Sequence, residues 1–232
     1  MIRVIDFETT GKEPDMRIVE VGWCDLYEDH WHSVNGNWVI DAAVCELCNP
    51  GVPISPETSA VHHIIDEDVA DARDAGLVLK EMLDCPFETI LAAHNADFEK
   101  ALFNWGDRQW IDTYKVAALL YREAPSHRLQ VLRYWLRLDV DRVIASPAHR
   151  AGPDAYVTAV LLEQLLADMS VEEMVRISAE PVFLPRLSFG KHATVPIEEV
   201  PADYLQWILD KGGFDEDVTH TARTELQKRN KR

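Results

Sequence analysis

Asp6 and Glu8 stand two apart in the opening stretch of this 232-residue chain, Met1-Ile2-Arg3-Val4-Ile5-Asp6-Phe7-Glu8-Thr9-Thr10-Gly11. Ile2, Val4, Ile5 and Phe7 read as a short buried strand, and Gly11 is the turn signal that closes it. Alternate residues of a strand share a face, so the two carboxylates project side by side. Such a pair repels and is costly to desolvate unless a cation sits between the two. An oxygen-only ligand set suits Mg²⁺ or Mn²⁺ rather than zinc. The plainer reading is a strand end with two solvated acids. Two more places carry related chemistry. Asp97 and Glu99 lie at a predicted helix start, and His149-Arg150-Ala151-Gly152-Pro153-Asp154 enters the last long helix. Imidazole titrates near neutral pH and a loop gives it reach, so His149 suits a general base beside a helix-borne carboxylate.

The pattern of apolar residues predicts the elements that must position these groups. Strands are expected at the N-terminus, over 17–26, 38–47, 88–93 and 110–112. The turn signal Asn35-Gly36 lets the first three form an antiparallel meander. Ser55-Pro56-Glu57 starts a short helix, with serine as cap and proline in the first turn. Val61-His62-His63-Ile64 follows, then an acidic helical pair to about residue 83. Further helices are predicted after residue 94, over 114–121, 129–138 and 153–169, with a loop at 139–148. Strands followed by strand–helix alternation give an α/β fold with a mixed sheet of about five strands flanked by helices. The stretch 179–185 reads as a linker. It divides a main domain, 1–180, from a small, mainly helical C-terminal module, 181–232. In that module a short strand at 186–189, helices at 203–209 and 218–226 and a basic tail at 227–232 are expected.

The formal charge of −17 excludes a general nucleic-acid binder held by electrostatics alone. Its distribution is uneven. Residues 1–99 hold five Lys/Arg against twenty-one Asp/Glu, while residues 100–150 hold nine against five. Those nine (Lys100, Arg108, Lys115, Arg122, Arg128, Arg133, Arg137, Arg142 and Arg150) read either as solvated helix faces or as a phosphate-facing track beside an acidic, metal-loaded centre. The four cysteines imply no disulfide framework. Cys45 and Cys48 have CxxC spacing, but on a strand they face opposite ways and no second pair accompanies them. No apolar run spans a bilayer and no signal sequence is visible, which predicts a cytoplasmic protein without a membrane partner.

Asp-Phe-Glu-Thr-Thr-Gly, His94-Asn95-Ala96-Asp97-Phe98-Glu99 and His149-x-x-x-x-Asp154, in that order, resemble the three motifs of the DEDDh family of 3′→5′ exonucleases. The resemblance covers about residues 1–170 and implies a ribonuclease H-like fold. The layout is most similar to the exodeoxyribonuclease X branch. That branch carries a tail like Leu187-Ser188-Phe189-Gly190-Lys191 followed by Tyr204-Leu205-Gln206-Trp207-Ile208-Leu209. One departure stands out: the family has aspartate directly after the phenylalanine of the second motif, where this chain has Glu99. Residues two apart on a helix point about 200° from each other, so Asp97 and Glu99 cannot both face one site. Motif register selects Glu99 and leaves Asp97 as the alternative.

The resemblance implies two Mg²⁺, replaceable by Mn²⁺, held by Asp6, Glu8, Glu99 and Asp154, with Asp6 bridging and His149 activating water. It also implies terminal-nucleotide contacts from Phe7, Thr9, His62, His94, Asn95 and Phe98. For Phe98, His94 and Asn95 the structural reading is a core ring, a buried imidazole and a helix cap. Glu20 is a buried-looking acid of the second strand, either a supporting group near the metals or a strand acid facing water, and Lys191 either touches nucleic acid or belongs to a Phe-Gly turn. The expected substrate is DNA at single-stranded or duplex 3′ ends, released as nucleoside 5′-monophosphates, with DNA repair as the setting. The alternatives are an exoribonuclease of the RNase T or oligoribonuclease type, and a proofreading-like accessory subunit whose residues 187–232 dock a protein partner.

Overall fold

The computed structural model describes residues 1–11, 16–29 and 37–231. Its sheet is built around β1 (Ile2–Thr9). β2 (Ile18–Asp29) runs antiparallel to it with Asp6 opposite Gly22 and Glu8 opposite Glu20. β3 (Asn37–Ile40) and β4 (Val44–Asn49) both pair with β2, and the two-residue β5 (Arg73–Asp74) pairs with β4. On the other side of β1 lie β6 (Ile90–Ala93) and β7 (Trp110–Asp112), both parallel.

The sheet is therefore mixed, but of seven strands among the described residues rather than five. The expected strand over 38–47 is broken at Asp41. There the side chain takes up the next amide, from Ala42 (2.7 Å), and the ladder stops. β5 is too short to leave an alternating pattern in sequence. The expected Asn35-Gly36 turn lies outside the described residues.

Ten α-helices occur among the described residues. α1 (Pro56–His62) starts as expected, with Ser55 as its cap. α2 (Asp66–Val69) and α3 (Ala75–Met82) form the acidic pair. α4 (Asp97–Leu102) and α5 (Thr113–Leu120) follow β6 and β7. α6 (Leu129–Trp135) leads through an irregular loop to α7 (Ala151–Leu166). α8 (Val171–Ser178) had no counterpart in the sequence reading; Ser170 caps it, and only Met174, Ile177 and Ser178 are buried.

Strand alternation sorts the core into two faces. Ile2 and Val4 join α5, α7 and α8, whereas Ile5 and Phe7 join α3, Trp105 and Trp110. The first face carries on into α9 (Ala202–Lys211) and α10 (Glu216–Asn230) through Val182, Leu184, Leu205, Ile208 and Val218. The stretch 179–185 is thus packed rather than a free linker. Its Val182 and Leu184 amides donate to Asp217 Oδ1 and Thr221 Oγ1, each at 2.8 Å. The expected strand at 186–189 makes only isolated bridges, and the expected basic tail is helical to Asn230. Among the described residues no helix is long and apolar enough to cross a membrane.

Candidate active site

Two glycines set the spacing between the sheet and the helix that brings the third acid. Gly22 lies against the backbone of Ala151 in the first turn of α7, and Gly152 lies against the Cys45 side chain. A Cβ at either position would collide with those atoms. With none, α7 seats flush on β2 and β4, and Asp154 (8% exposed) comes over the end of β1. Asp6, Glu8 and Asp154 then each offer a carboxylate oxygen within 4.8 Å of the others. The β1–β2 register slips between Glu8 and Thr9, and irregularities of this kind recur beside functional sites.

Asp154 is held from both sides. Gln130 Nε2 donates to its Oδ1 (2.6 Å) and the His149 amide donates to its Oδ2 (2.9 Å). Glu99 enters from α4. It is only 3% exposed, and its Oε2 is buried with no hydrogen-bond partner. Asp97 points outward and pairs with Lys100 at 3.5 Å. α5 is capped by its own N-cap residue, Asp112, whereas α4 has no local side-chain cap. The buried Asp112 carboxylate accepts the amides of Asn95 (3.1 Å), Ala96 (3.0 Å), Tyr114 (2.9 Å) and Lys115 (3.3 Å), so it caps both helices. Asn95 itself takes a positive φ of 75°, and its side chain is not the cap.

Among the described residues, no Lys or Arg forms an ion pair with Asp6, Glu8, Glu99 or Asp154. Burial pushes Asp6 well above the ordinary carboxylate range, and Asp154, Glu8, Glu99 and Glu20 push it further. Burial, then Asp154 and Glu20, bring Glu8 up to about 8. Burial, with Asp112 and Glu8 adding to it, raises Glu99 strongly. Four crowded carboxylates, one with an orphaned oxygen, fit a hard divalent cation that prefers oxygen ligands.

Of these four acids, Asp154 borders a cleft of about 710 Å³. Of the other residues singled out in sequence, His149, His94, Asn95 and Phe98 line it, as do Asp97 and Asp154. His149 is exposed and has a positive φ of 60°. His94 also bonds to Thr113 Oγ1 (2.9 Å) and His127 O (2.7 Å), and burial lowers its pKa to about 4, which keeps it neutral. Thr9 is buried at the end of β1 and donates to Gly11 O (3.1 Å). His62 is buried, with Nδ1 accepting the Ile64 amide (3.0 Å) and Nε2 unpartnered. Phe7 is a correction. It lies between Asp6 and Glu8, so alternation turns it to the opposite face, where it is 4% exposed and stacks on Trp105 at 6.0 Å.

The basic track is a second correction. Lys115 pairs with Asp217, Arg133 donates to Ala145 O, Arg108 to Pro86 O, and Arg150 to Glu20. Of the nine, only Arg128 borders the cleft. Two supporting residues, Glu20 and Gln130, stand outside the expected set of site residues. Glu20, fully buried, takes both Arg150 Nε (3.0 Å to each oxygen) and the Ala151 amide (2.8 Å), pinning the start of α7 to β2. Its acid among apolar neighbours was the visible signal. Gln130 gave none, because an exposed-looking polar residue on a helix is ordinary.

The geometry agrees with comparison to known proteins. Exodeoxyribonuclease 10 of Escherichia coli (strain K12) is 28% identical over 215 residues, spanning 90% of this chain and 91% of that protein. The PolC-type DNA polymerase III of Bacillus subtilis (strain 168) is 29% identical over 175 residues, which are 71% of this chain and 11% of that protein. Among solved structures, exonuclease X in complex with 5′ overhanging duplex DNA superposes with a TM-score of 0.65 and 29% identity, covering 77% of this chain and 99% of that one. A full-length 3′-exonuclease, at TM-score 0.56 and 19% identity over 72% of this chain and 60% of that one, shares the fold. The RNase_T family model, described as an exonuclease, matches residues 4–162, and the chain belongs to that exonuclease family.

Proposed function

We propose that this 3′→5′ exonuclease hydrolyses DNA from the 3′ end and releases nucleoside 5′-monophosphates, with Mg²⁺ (or Mn²⁺) held by Asp6, Glu8, Glu99 and Asp154. The observation that carries the reading is the cluster of Asp6, Glu8 and Asp154 oxygens within 4.8 Å, without a basic partner, beside the unpartnered Glu99 oxygen. Bound divalent ions there supply Lewis acidity toward the phosphodiester and its attacking water. The chain's own residues do the rest. His149 takes the proton of the attacking water as the P–O3′ bond breaks and the 3′ oxygen leaves. Asp154, by accepting the His149 amide, fixes the loop that carries this base. Phe98 and Asn95, on the cleft wall, meet the terminal nucleotide, with Thr9 contributing from the end of β1 and His62 from the end of α1. Base stacking on Phe98 tolerates any sequence.

DNA rather than RNA is favoured by the relative that matches along nearly its whole length, an exodeoxyribonuclease. We place the protein in the cytoplasm, where trimming of 3′ ends serves DNA repair. The exonuclease domain is taken as 1–180 and the C-terminal module as 181–232. The test is a matched pair of 5′-labelled DNA and RNA oligonucleotides with Mg²⁺. Stepwise shortening of the DNA from its 3′ end, stopped by EDTA, is expected. Shortening from the 5′ end, activity in EDTA, or a clear preference for RNA would each overturn a part of the reading.

A further inference from the structure

Residues beyond 162 lie outside the family match, and they hold a feature that the hydrolysis does not use. Five rings form a row. Phe189 stacks on Phe214 with centroids 5.1 Å apart, and Phe214 meets Trp207 at 5.7 Å. Trp207 lies on Tyr204 at 5.2 Å, and Tyr204 meets His192 at 4.6 Å. Tyr204, Trp207 and Lys211 recur at helical spacing on α9, while Leu205 and Ile208 take its buried side. Gly190 has a positive φ of 71° and lies so close to the Tyr204 hydroxyl that a Cβ would strike it. Gly212 and Gly213, both at positive φ, precede Phe214 and reverse the chain there.

Phe189, Tyr204 and Phe214 pack against the main core, and the row surfaces at Trp207. Trp207 is 41% exposed. Lys211 Nζ sits 4.9 Å from the Trp207 centroid and 5.7 Å from Phe214, and Lys191 Nζ sits 5.4 Å from Tyr204. Among the described residues neither lysine forms an ion pair, so both ammonium groups keep donors free. The row also starts at the cleft. Ser188 and Asp215 line the cleft, Phe189 and Phe214 are their chain neighbours, and Arg128 donates to Ser188 O at 3.2 Å. An exposed indole with free cations beside it, continuous with a site that takes a 3′ end, matches single-stranded nucleic acid.

We propose that this row binds single-stranded DNA behind the 3′ end. A base stacks on Trp207, which Phe214 and Tyr204 support, and phosphates meet Lys211 and Lys191. The acids Asp210 and Asp215 flank the row in sequence, so stacking carries more of the binding than charge does. The proposal rests on reading the cleft as the hydrolytic site, and its test separates the two. Full-length protein is assayed with Mn²⁺ on a thymidine trinucleotide and a thymidine 15-mer. Trp207→Ala is expected to raise KM for the 15-mer about fivefold to a hundredfold, with kcat unchanged and the trinucleotide unaffected. Trp207→Phe should restore most of the loss. Lys211→Ala should lower the salt dependence of 15-mer binding by about one phosphate. Equal KM values for the 15-mer in wild type and both alanine variants, or parallel losses on both substrates, would overturn the platform. If Trp207→Ala is misfolded by circular dichroism, Lys211→Ala and Trp207→Phe decide the matter. If the wild type hydrolyses neither substrate, the exonuclease reading fails. The platform is then judged by anisotropy of a fluorescein-labelled 15-mer in EDTA, where Lys211→Ala must weaken binding.

Discussion

Two populations of buried acid coexist in this molecule. Asp25 is held by Arg3 at 2.6 Å, Asp217 by Lys115 at 3.3 Å, Glu225 by Arg229 at 2.8 Å, and Glu20 by Arg150. Each has a cation supplied by the chain itself. Burial alone pushes Glu225 upward, yet Arg229 and Lys228 bring its carboxyl below the usual range, while burial keeps Asp217 raised even with Lys115 beside it. Among the described residues, Asp6, Glu8, Glu99 and Asp154 have no such ion-pair partner, and all four are pushed upward. The same chain that neutralises four acids leaves four others crowded together. On the proposed function, the second group is completed from outside, by metal, and its members trade stability for function.

That contrast can be broken most sharply at Asp6. Asp6→Asn is expected to lower exonuclease turnover by at least about a thousandfold, since several kcal/mol of charge stabilisation depend on the ion it holds. The same change should raise the melting temperature of metal-free protein, because one buried like charge is gone. Asp25→Asn should do the reverse: it costs about 3 kcal/mol of stability by leaving Arg3 unpaired, while turnover of the folded protein stays within a few-fold. Calorimetry and a labelled-oligonucleotide assay on the two variants check both halves. Equal effects would erase the distinction.

A finer cut lies within α4. Glu99→Gln should reduce activity by about a hundredfold, whereas Asp97→Asn, which loses only an exposed pair with Lys100, should change it less than about threefold. Activity that follows Asp97 would assign the ligand to the wrong face of the helix. Next in size is Glu20→Gln. It unpairs Arg150 and loosens the start of α7, and the expected result is about tenfold lower kcat with a clear fall in melting temperature.

The smallest expected effect is a pH dependence. Glu8 has its folded pKa raised to about 8 from 4.5, so the fold favours its protonated form. Its contribution is present below about pH 4.5 and is lost as the pH rises toward 8. Metal-free protein should therefore melt at lower temperature at pH 8 than at pH 5, and Mn²⁺ should raise the melting temperature more at pH 8. A metal-free melting temperature that rises from pH 5 to pH 8 would contradict the crowding of these acids.

Much of this was legible in sequence, for stated reasons. Ile2, Val4, Ile5 and Phe7 announced β1, and the long apolar run of α7 announced the helix that carries Asp154. Proximity was not legible. Nothing in the chain says that Gly22 and Gly152 are where a helix touches a sheet, yet those contacts bring Asp154 to Asp6. Nor do nine basic residues reveal that Lys115, Arg133 and Arg150 are committed to internal partners. Phe7 is a different case. Period-two alternation already placed it opposite Asp6 and Glu8, and the expectation of a substrate contact overrode that simple rule. In the C-terminal segment the helices were visible, but their seating on the main core depends on Val182 and Leu184 side chains whose destinations no local pattern encodes.

The most direct measurement is a crystal structure of the protein soaked with Mn²⁺ and thymidine 5′-monophosphate, read by anomalous scattering. The account predicts manganese peaks within bonding distance of Asp6, with Glu8, Glu99 and Asp154 completing the ligands and Asp97 facing solvent. Manganese held by Asp97, or absent from Asp6 while the nucleotide is bound in the cleft, would contradict it.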